Sequence, residues 1–521
     1  MTDLEHALTL NLADLLDRSL ERFEQRPFLL GGPAGRTFGE IGSEVDRLAG
    51  SLAELGVGAG SRVAVLLPSR PEMLTLWLAL ARLGAAMVPM HPDSTLPEVR
   101  VLLARAGACG LVTDQAHGSA LEEAAALPWR AVIDGEPPPQ ALSWSQLVGG
   151  VPRSLARPAP GQLVSLLFTS GTTGAPKGVR MTHSSFVLPA LAFGRFMAVT
   201  PEDRFFGCLP LFHLAGQAFA ASALAAGASI AVVERFRGSD FWRQVAETRA
   251  TLVRYIGEML AVLCKHSPVP GEREHTLRAV YGGGARPDVA EEFSRRFAVP
   301  VVEGYGLTET STVLCNSLAL GRRGSIGRAL EHARVRIADD LGRSLPAGEV
   351  GEIQVERNAA MMDGYEGDPA LTASVFVGDW FRTGDSGYGD EEGWFYFLGR
   401  DKDVVRRRGE NVAASEVEGV LARHPAVALA AVVGVADDLG GEEIKAYLVL
   451  RPGWQVSATQ LRSWCADSLA PFKVPRFLEL CEELPMTPTH KVRKKELKVR
   501  GPLLGAWFDC REEAGISLVT S

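Results

Sequence analysis

The sequence predicts an α/β protein whose sheets are parallel and covered by helices on both faces. Short apolar runs without polar alternation recur from residue 40 onward, and stretches with helical spacing separate them. One such run, Leu163 to Phe168, leads straight into a loop of glycines and hydroxyls that carries a lysine. Strands lacking alternation belong to sheets buried on both faces, and a helix between successive strands supplies the crossover that parallel pairing needs. At 521 residues the chain should form more than one domain and bury a large core.

The N-terminal Asp3 and Glu5, ahead of an amphipathic helix with Leu12, Leu15, Leu16, Leu20 and Phe23, do not read as a signal peptide. Glu44 to Leu55 has helical spacing and Arg62 to Leu67 reads as a buried strand. Pro71 to Leu83 follows as a helix with proline in its first turn. Ala85 to Met90 is a strand, Leu96 to Arg105 a helix, and Cys109 to Thr113 a strand. The pattern then weakens into a connector through Gly135-Glu-Pro-Pro-Pro139 and Arg157-Pro-Ala-Pro-Gly161. The longest uncharged stretch, Ala215 to Val233, is nearly membrane-spanning in length, but Gly227 divides it into a buried helix and a short strand, Ala228 to Val233.

The loop Thr169-Ser170-Gly171-Thr172-Thr173-Gly174-Ala175-Pro176-Lys177 has the ingredients of a polyphosphate cradle. Glycines let backbone N–H groups turn toward a ligand, hydroxyls add donors, and lysine adds a point charge. It differs from the common P-loop, because Pro176 stands at the second glycine position and Gly178 follows the lysine. Proline there argues against a helix N-terminus, so the backbone and side chains must hold the phosphates without a helix dipole. Of 54 lysines plus arginines only nine are lysines, and Lys177 is the first of them in the chain. Four more lie between 491 and 498.

Composition narrows the class. With 46% hydrophobic and 22% charged residues, the chain reads as an ordinary soluble protein. A net charge of −8 argues against a general nucleic-acid binder. Seven scattered cysteines without a C-x-x-C pair read as reduced thiols, as in the cytoplasm.

Other segments are ambiguous singly. His213 lies between apolar residues in Pro210-Leu-Phe-His213, as core and pocket-wall histidines do. Gly282-Gly283-Gly284 follows a strand and allows close backbone approach to something flat. In Gly304-Tyr305-Gly306-Leu307-Thr308-Glu309-Thr310, Glu309 could hold Mg2+ beside a triphosphate or serve as a solvated turn acid. Asp385, in Phe381-Arg382-Thr383-Gly384-Asp385, could accept both hydroxyls of a ribose or belong to a β-turn.

The order of Thr169–Val179, His213, Gly304–Thr310, Phe381–Asp385, Gly399-Arg400-Asp-Lys402-Asp403 with Gly409-Glu-Asn411, and Pro485–Lys491 resembles the adenylate-forming superfamily. That superfamily comprises acyl-CoA synthetases, peptide-synthetase adenylation domains and luciferases. The resemblance covers about residues 10 to 500. It implies a large N-terminal domain of α/β subdomains, 1–399, and a small mobile C-terminal α+β domain, 400–521. Thr169 to Lys177 would bind the β- and γ-phosphates of ATP; Gly282, Gly283, Gly284 and Tyr305 would flank adenine. Thr308 would contact the α-phosphate, Glu309 would ligate Mg2+, and Asp385 and Arg400 would hold the ribose. Lys402 matches the hinge, and Lys491 matches the lysine that bridges carboxylate and α-phosphate. His213, Gly284 and Gly306 would line the acid pocket, and Gly409 belongs to the segment common in CoA ligases.

The resemblance is closest to free-standing acyl-CoA ligases, in particular the carnitine/crotonobetaine-type branch through Phe472–Phe477 and Pro485–Lys491. Amino-acid-activating domains usually carry aspartate where this chain has His213, and no carrier-protein domain is expected in the roughly twenty residues after Lys498. The implied reaction takes a small carboxylic acid, ATP, Mg2+ and coenzyme A. The alternatives are a pantetheinylated carrier protein as acceptor, or retention of one half-reaction. Nucleic acid and integral membrane contacts are not expected, and the enzyme would be a monomer or homodimer. Two departures stand out: His490 precedes Lys491 where the family usually has glycine, and Arg406-Arg407-Arg408 makes an unusually basic loop. Those arginines are either a solvated turn or an attractor for the CoA phosphates.

Overall fold

The computed structural model describes the chain except residues 1–2, 32–34, 170–175, 269–270, 286, 340, 401–403, 438–440, 486–491, 493, 500–506 and 510–521. The chain divides into two compact units. The first comprises residues 1–92, 100–168 and 178–401, the second 93–99, 169–177 and 402–521.

Among the described residues, the first unit holds two large sheets and a smaller one. The strands Pro27–Leu30, Ser229–Val232, Arg204–Gly207, Leu252–Ile256, Ala279–Gly283 and Val301–Leu307 lie side by side with parallel pairing. Ser311–Cys315 then returns antiparallel to Val301–Leu307. In the second sheet, Ala86–Met90, Arg62–Leu66, Gly110–Thr113, Trp129–Val132 and Leu142–Ser143 are parallel in that order, with Leu163–Thr169 beside Ala86–Met90. One apolar core draws on both sheets and on the helices packed against them.

Local signals explain the helices. Asn11 and Asp14 form a reciprocal capping box at the start of Leu12–Phe23, at 2.9 and 2.7 Å. Pro71 opens Pro71–Leu83, and Gly84 closes it in the left-handed conformation. The uncharged stretch resolves into the helix Leu214–Ala226 and the strand Ser229–Val232, with Gly227 at φ +68° between them. That helix is apolar all round because helices and strands surround it. No described helix is long and apolar enough to cross a membrane. The connector carries more structure than its composition implied: Leu142–Ser143 joins the sheet edge, and Ser143 caps the short helix Trp144–Val148. Runs of two to five residues are too short to show a period.

The smaller sheet is antiparallel: Val335–Ala338, Gly351–Glu356, Trp380–Gly389 and Phe376–Val377, with Phe395–Arg400 on the free side of Trp380–Gly389. The second unit contains the hairpin Val404–Arg407 and Glu410–Ala413, and a sheet of Val427–Ala436, Glu442–Leu450, Phe477–Leu480 and Trp507–Asp509.

Several of the sparse lysines prove to be ion-pair partners in this unit. Lys445 and Glu479, each 3% exposed, meet at 2.5 Å, and Lys473 reaches Glu416 at 2.8 Å. Lysine rarity therefore marks buried pairing for these lysines.

Candidate active site

The turn between Val301–Leu307 and Ser311–Cys315 carries Thr308 and Glu309. The Leu307 N–H donates to Thr310 Oγ1 at 2.9 Å and Thr310 N–H returns to the Leu307 carbonyl at 3.3 Å, so the turn is pinned from both sides. Tyr365 Oη donates to Glu309 Oε1 at 2.8 Å, and the Met362 N–H donates to the Glu309 carbonyl at 2.9 Å. Tyr365 in turn pairs with Val179 of the strand Lys177–Thr182. The strand Lys177–Thr182 and the Glu309 turn thus share a clamp. Tyr365 was not singled out in the sequence; its only signal was an aromatic after glycine in Met362-Asp-Gly-Tyr365.

Tyr305 Oη donates to Asp385 Oδ2 at 2.7 Å, with Asp385 1% exposed. The aspartate does not lie in a turn. It sits inside the ten-residue strand Trp380–Gly389, where the pairing register shifts on both sides. Gly384 adopts φ +70°, which lets the strand bulge and re-aim the side chain that follows. Thr383 Oγ1 donates to the Ile353 carbonyl at 2.6 Å and accepts the Asp385 N–H at 3.0 Å. Glu352 takes the Gly384 N–H at 2.9 Å and Arg382 Nε at 2.8 Å. Arg400, described here by its backbone, pairs directly opposite Asp385. The two residues that the resemblance assigns to the ribose therefore meet across one antiparallel ladder.

Gly282, Gly283 and Gly284 end the strand Ala279–Gly283 and begin the loop beyond it. A side chain at Gly282 would collide with the Tyr255 carbonyl of the neighbouring strand. Glu303 holds the far side of this loop: its Oε1 accepts Tyr255 Oη at 2.5 Å and the Ala285 N–H at 3.1 Å. Burial pushes the Glu303 carboxyl up from an ordinary 4.5 to about 7, overcoming the donors that favour its ionised form. The folded state thus holds this proton more tightly than the unfolded chain. Its stabilising effect is full below pH 4.5 and disappears as pH rises through about 7. At ~1.4 kcal/mol per pH unit the loss is on the order of 3 kcal/mol. Urea unfolding at about pH 5 and about pH 8 should show the wild type losing stability relative to Glu303→Gln, and parallel pH slopes would refute this role.

His213 occupies the N-cap position of Leu214–Ala226, its ring 4.8 Å from that of Phe212, which meets His91 edge-on at 4.8 Å. A buried relay fixes the loop before it. Trp77 Nε1 donates to Ser165 Oγ, Ser165 Oγ to Gln217 Oε1, and Gln217 Nε2 to the Leu211 carbonyl, each at 2.9 Å. Ser69 Oγ accepts the Leu211 N–H at 2.9 Å. The strand Leu163–Thr169 therefore also steadies the His213 loop.

Thr169 ends the strand Leu163–Thr169 and Lys177 begins Lys177–Thr182, a strand rather than the helix of a P-loop. Ser170, Gly171, Thr172, Thr173, Gly174, Lys402 and Lys491 lie outside the described residues. Gly306 lies on Val301–Leu307 beside Tyr305, and Gly409 turns the hairpin at φ +88°. Arg407 is bound internally: it pairs with Glu443 at 2.7 Å and donates to the Phe472 and Val474 carbonyls at 2.9 Å. Arg406 and Arg408 are exposed.

No group of three or more His, Cys, Asp or Glu among the described residues could hold a metal ion by itself. Glu309 fits an ion that arrives with nucleotide, since Mg2+ favours one or two carboxylates plus phosphate oxygens.

Residues 16–366 match the AMP-binding enzyme family model, and 416–491 match the AMP-binding enzyme C-terminal domain. The chain belongs to this family. It is 35% identical over 486 residues to a crotonobetaine/carnitine–CoA ligase of Escherichia coli O45:K1, covering 90% of this chain and 94% of that one. Among solved structures, o-succinylbenzoate CoA synthetase of Bacillus subtilis superposes with TM-score 0.82 at 29% identity, covering 93% of this chain and 98% of that one. Amide bond synthetase McbA of Marinactinospora thermotolerans gives 0.84 at 30%, covering 94% and 99%. The likeness establishes the acyl-CoA-synthetase-like architecture of a large N-terminal and a small C-terminal domain.

Proposed function

We propose that the protein is an acid–thiol ligase that uses ATP and Mg2+ to convert a carboxylic acid to acyl-AMP and then transfers the acyl group to coenzyme A. Family membership supports the chemistry, and the observation that carries it locally is the Tyr305–Asp385 bond with Arg400 in register opposite Asp385. In the first step a carboxylate oxygen attacks the α-phosphorus and pyrophosphate leaves. In the second, the thiol sulfur attacks the acyl carbonyl and AMP leaves.

A carboxylate facing a polyanion reacts only if charge on the α-phosphoryl oxygens is stabilised. Thr308 and Lys491 would supply that stabilisation. Thr169 to Lys177 would hold the pyrophosphate, Glu309 would present Mg2+ to the phosphates, and Asp385 would hold the ribose. Domain alternation about Lys402, between 1–399 and 400–521, would separate the two steps, with the protein acting in the cytoplasm.

CoA is the acceptor we assign, rather than a pantetheinylated carrier protein. The likeness to an amide bond synthetase makes an amine the control acceptor. The test is incubation with a broad acid panel, ATP and Mg2+, with CoA, a carrier protein or an amine offered separately, followed by mass spectrometry. Acyl-CoA with AMP and pyrophosphate is expected; acyl carrier or amide alone would overturn the assignment.

Arg406→Ala should raise the KM for CoA several-fold at low salt. Arg407→Ala should instead deprive Glu443, which is 0% exposed, of the nearer of its two cations, at 2.7 Å, and leave it the exposed Arg408 at 3.5 Å. Thermal and urea unfolding should show that variant destabilised, by less than the roughly 3–5 kcal/mol of a buried carboxylate left with no cation at all. An unchanged KM for the first, or unchanged stability for the second, contradicts these roles.

A further inference from the structure

Arg254 is a half-buried cation among apolar neighbours. It lies on Leu252–Ile256, in register with Tyr281 of the adjacent strand. Alternation sends Val253 and Tyr255 into one core with Phe206, Phe241 and Phe293. Leu252 and Tyr281 belong to the other core, with the helix that His213 opens. There Arg254 Nη1 donates to the Ala215 carbonyl, in the first turn of that helix, at 3.1 Å. The guanidinium carbon stands 5.4 Å from the centroid of the Tyr281 ring.

A carbonyl and an aromatic face occupy a fraction of a guanidinium's five N–H donors. Among the described residues no carboxylate pairs with Arg254, unlike Arg278 with Asp203 or Arg296 with Glu272. Nor is any of its nitrogens both sealed from solvent and unbonded, so the remaining donors face accessible space. Burial works against the charge on Arg254, and such a charge is retained at a cost unless an anion meets it.

The strand ends two residues further on, at Ile256, opposite Gly283 of the glycine loop. Ligands of parallel sheets lie beyond these carboxyl ends. At ~3.3 Å per residue the Arg254 Cα is about 7 Å deeper than that end. This separation suits a molecule with its reacting carboxylate at the strand ends and a second charged group several bonds away.

We propose that Arg254 receives a second anionic group of the acid substrate, so that the acid activated by this protein is a dicarboxylic acid or carries an equivalent anionic tail. The inference rests on the reading of this site as acid-activating. An acid ending in a quaternary ammonium would be repelled, and an uncharged tail would leave the guanidinium donors unmatched.

The test compares α,ω-dicarboxylic acids, monocarboxylic acids and ω-trimethylammonium acids of matched length, with ATP, Mg2+ and CoA. It reads kcat/KM for the wild type, Arg254→Met and Arg254→Lys. A charge-assisted contact predicts about 10- to 100-fold preference of the wild type for the dicarboxylic series. Arg254→Met should collapse that ratio and Arg254→Lys should partly restore it. A wild-type preference for either other series, or an equal loss on all three in Arg254→Met, overturns the proposal. If no acid releases AMP and pyrophosphate, the ligase reading itself fails. Calorimetric binding of the dicarboxylic acids then decides the anion site: weaker binding in Arg254→Met supports it, and equal or absent binding overturns it.

Discussion

A Lys491→Ala variant is expected to lose about 10²- to 10³-fold in acyl-AMP formation while still converting supplied acyl-AMP to the thioester. The first half-reaction develops negative charge where the carboxylate oxygen meets the α-phosphate, and a preorganised cation there lowers the barrier directly. The second half-reaction attacks an acyl carbonyl already carrying its leaving group, so the same lysine has little left to stabilise. ATP–pyrophosphate exchange isolates the first step, and AMP release from synthetic acyl-AMP with CoA isolates the second. Equal losses in both would contradict the role. His490, where relatives of this kind usually carry glycine, offers an internal comparison: His490→Gly should alter the exchange rate and leave thioester formation from acyl-AMP unaffected.

The second large effect is expected at Asp385. Hydrogen bonds to a charged group contribute about 1.5–3 kcal/mol each, so losing both ribose contacts should lower kcat/KM for ATP by about 10²- to 10⁴-fold. The variant Asp385→Ala should show this loss while its KM for the acid changes little. Tyr305→Phe separates ligand contact from scaffold. Tyr305 Oη donates to Asp385 Oδ2 at 2.7 Å, so removing the hydroxyl frees one oxygen's orientation without removing the charge. A loss of about tenfold is the expected result there. Comparable KM values for ATP in the wild type and Asp385→Ala would dismiss the ribose assignment.

Glu309, Asp385, Tyr305 and the glycine loop are ambiguous singly in the sequence, and the order of the motifs, through its resemblance to the adenylate-forming superfamily, is what singles them out. Glycines beside a strand end, an aromatic between glycines and the carboxylate of Asp385 after Gly384 are local patterns. The partners that give them shape are distant in sequence. Tyr365 reaches Glu309 across 56 residues, and Tyr255 reaches Glu303 across 48. No period or propensity announces such a pair. The basic loop shows the converse: three consecutive arginines look equivalent, yet Arg407 is held against Glu443 at 2.7 Å, the exposed Arg408 reaches the same carboxylate at 3.5 Å, and Arg406 is exposed. Arg406 and Arg407 are neighbours on the strand Val404–Arg407 and face opposite ways, so their adjacency in the chain did not give them a common partner.

By itself, then, the sequence determined the α/β class, the alternating helices and strands of residues 40–113, the helix–strand division at Gly227, and a glycine-rich loop that departs from the P-loop pattern at Pro176. These depend on periodicity and on residues a few positions apart, which any local reading captures. The tertiary structure decided that Asp385 lies on a bulged strand facing Tyr305 and opposite Arg400. It also decided that Glu303 braces the glycine loop and that Arg254 is half-buried without an acidic partner among the described residues. Each of these depends on which strands lie side by side. That order is set by burying a whole sheet's apolar faces together, a long-range packing condition that no short window of sequence contains.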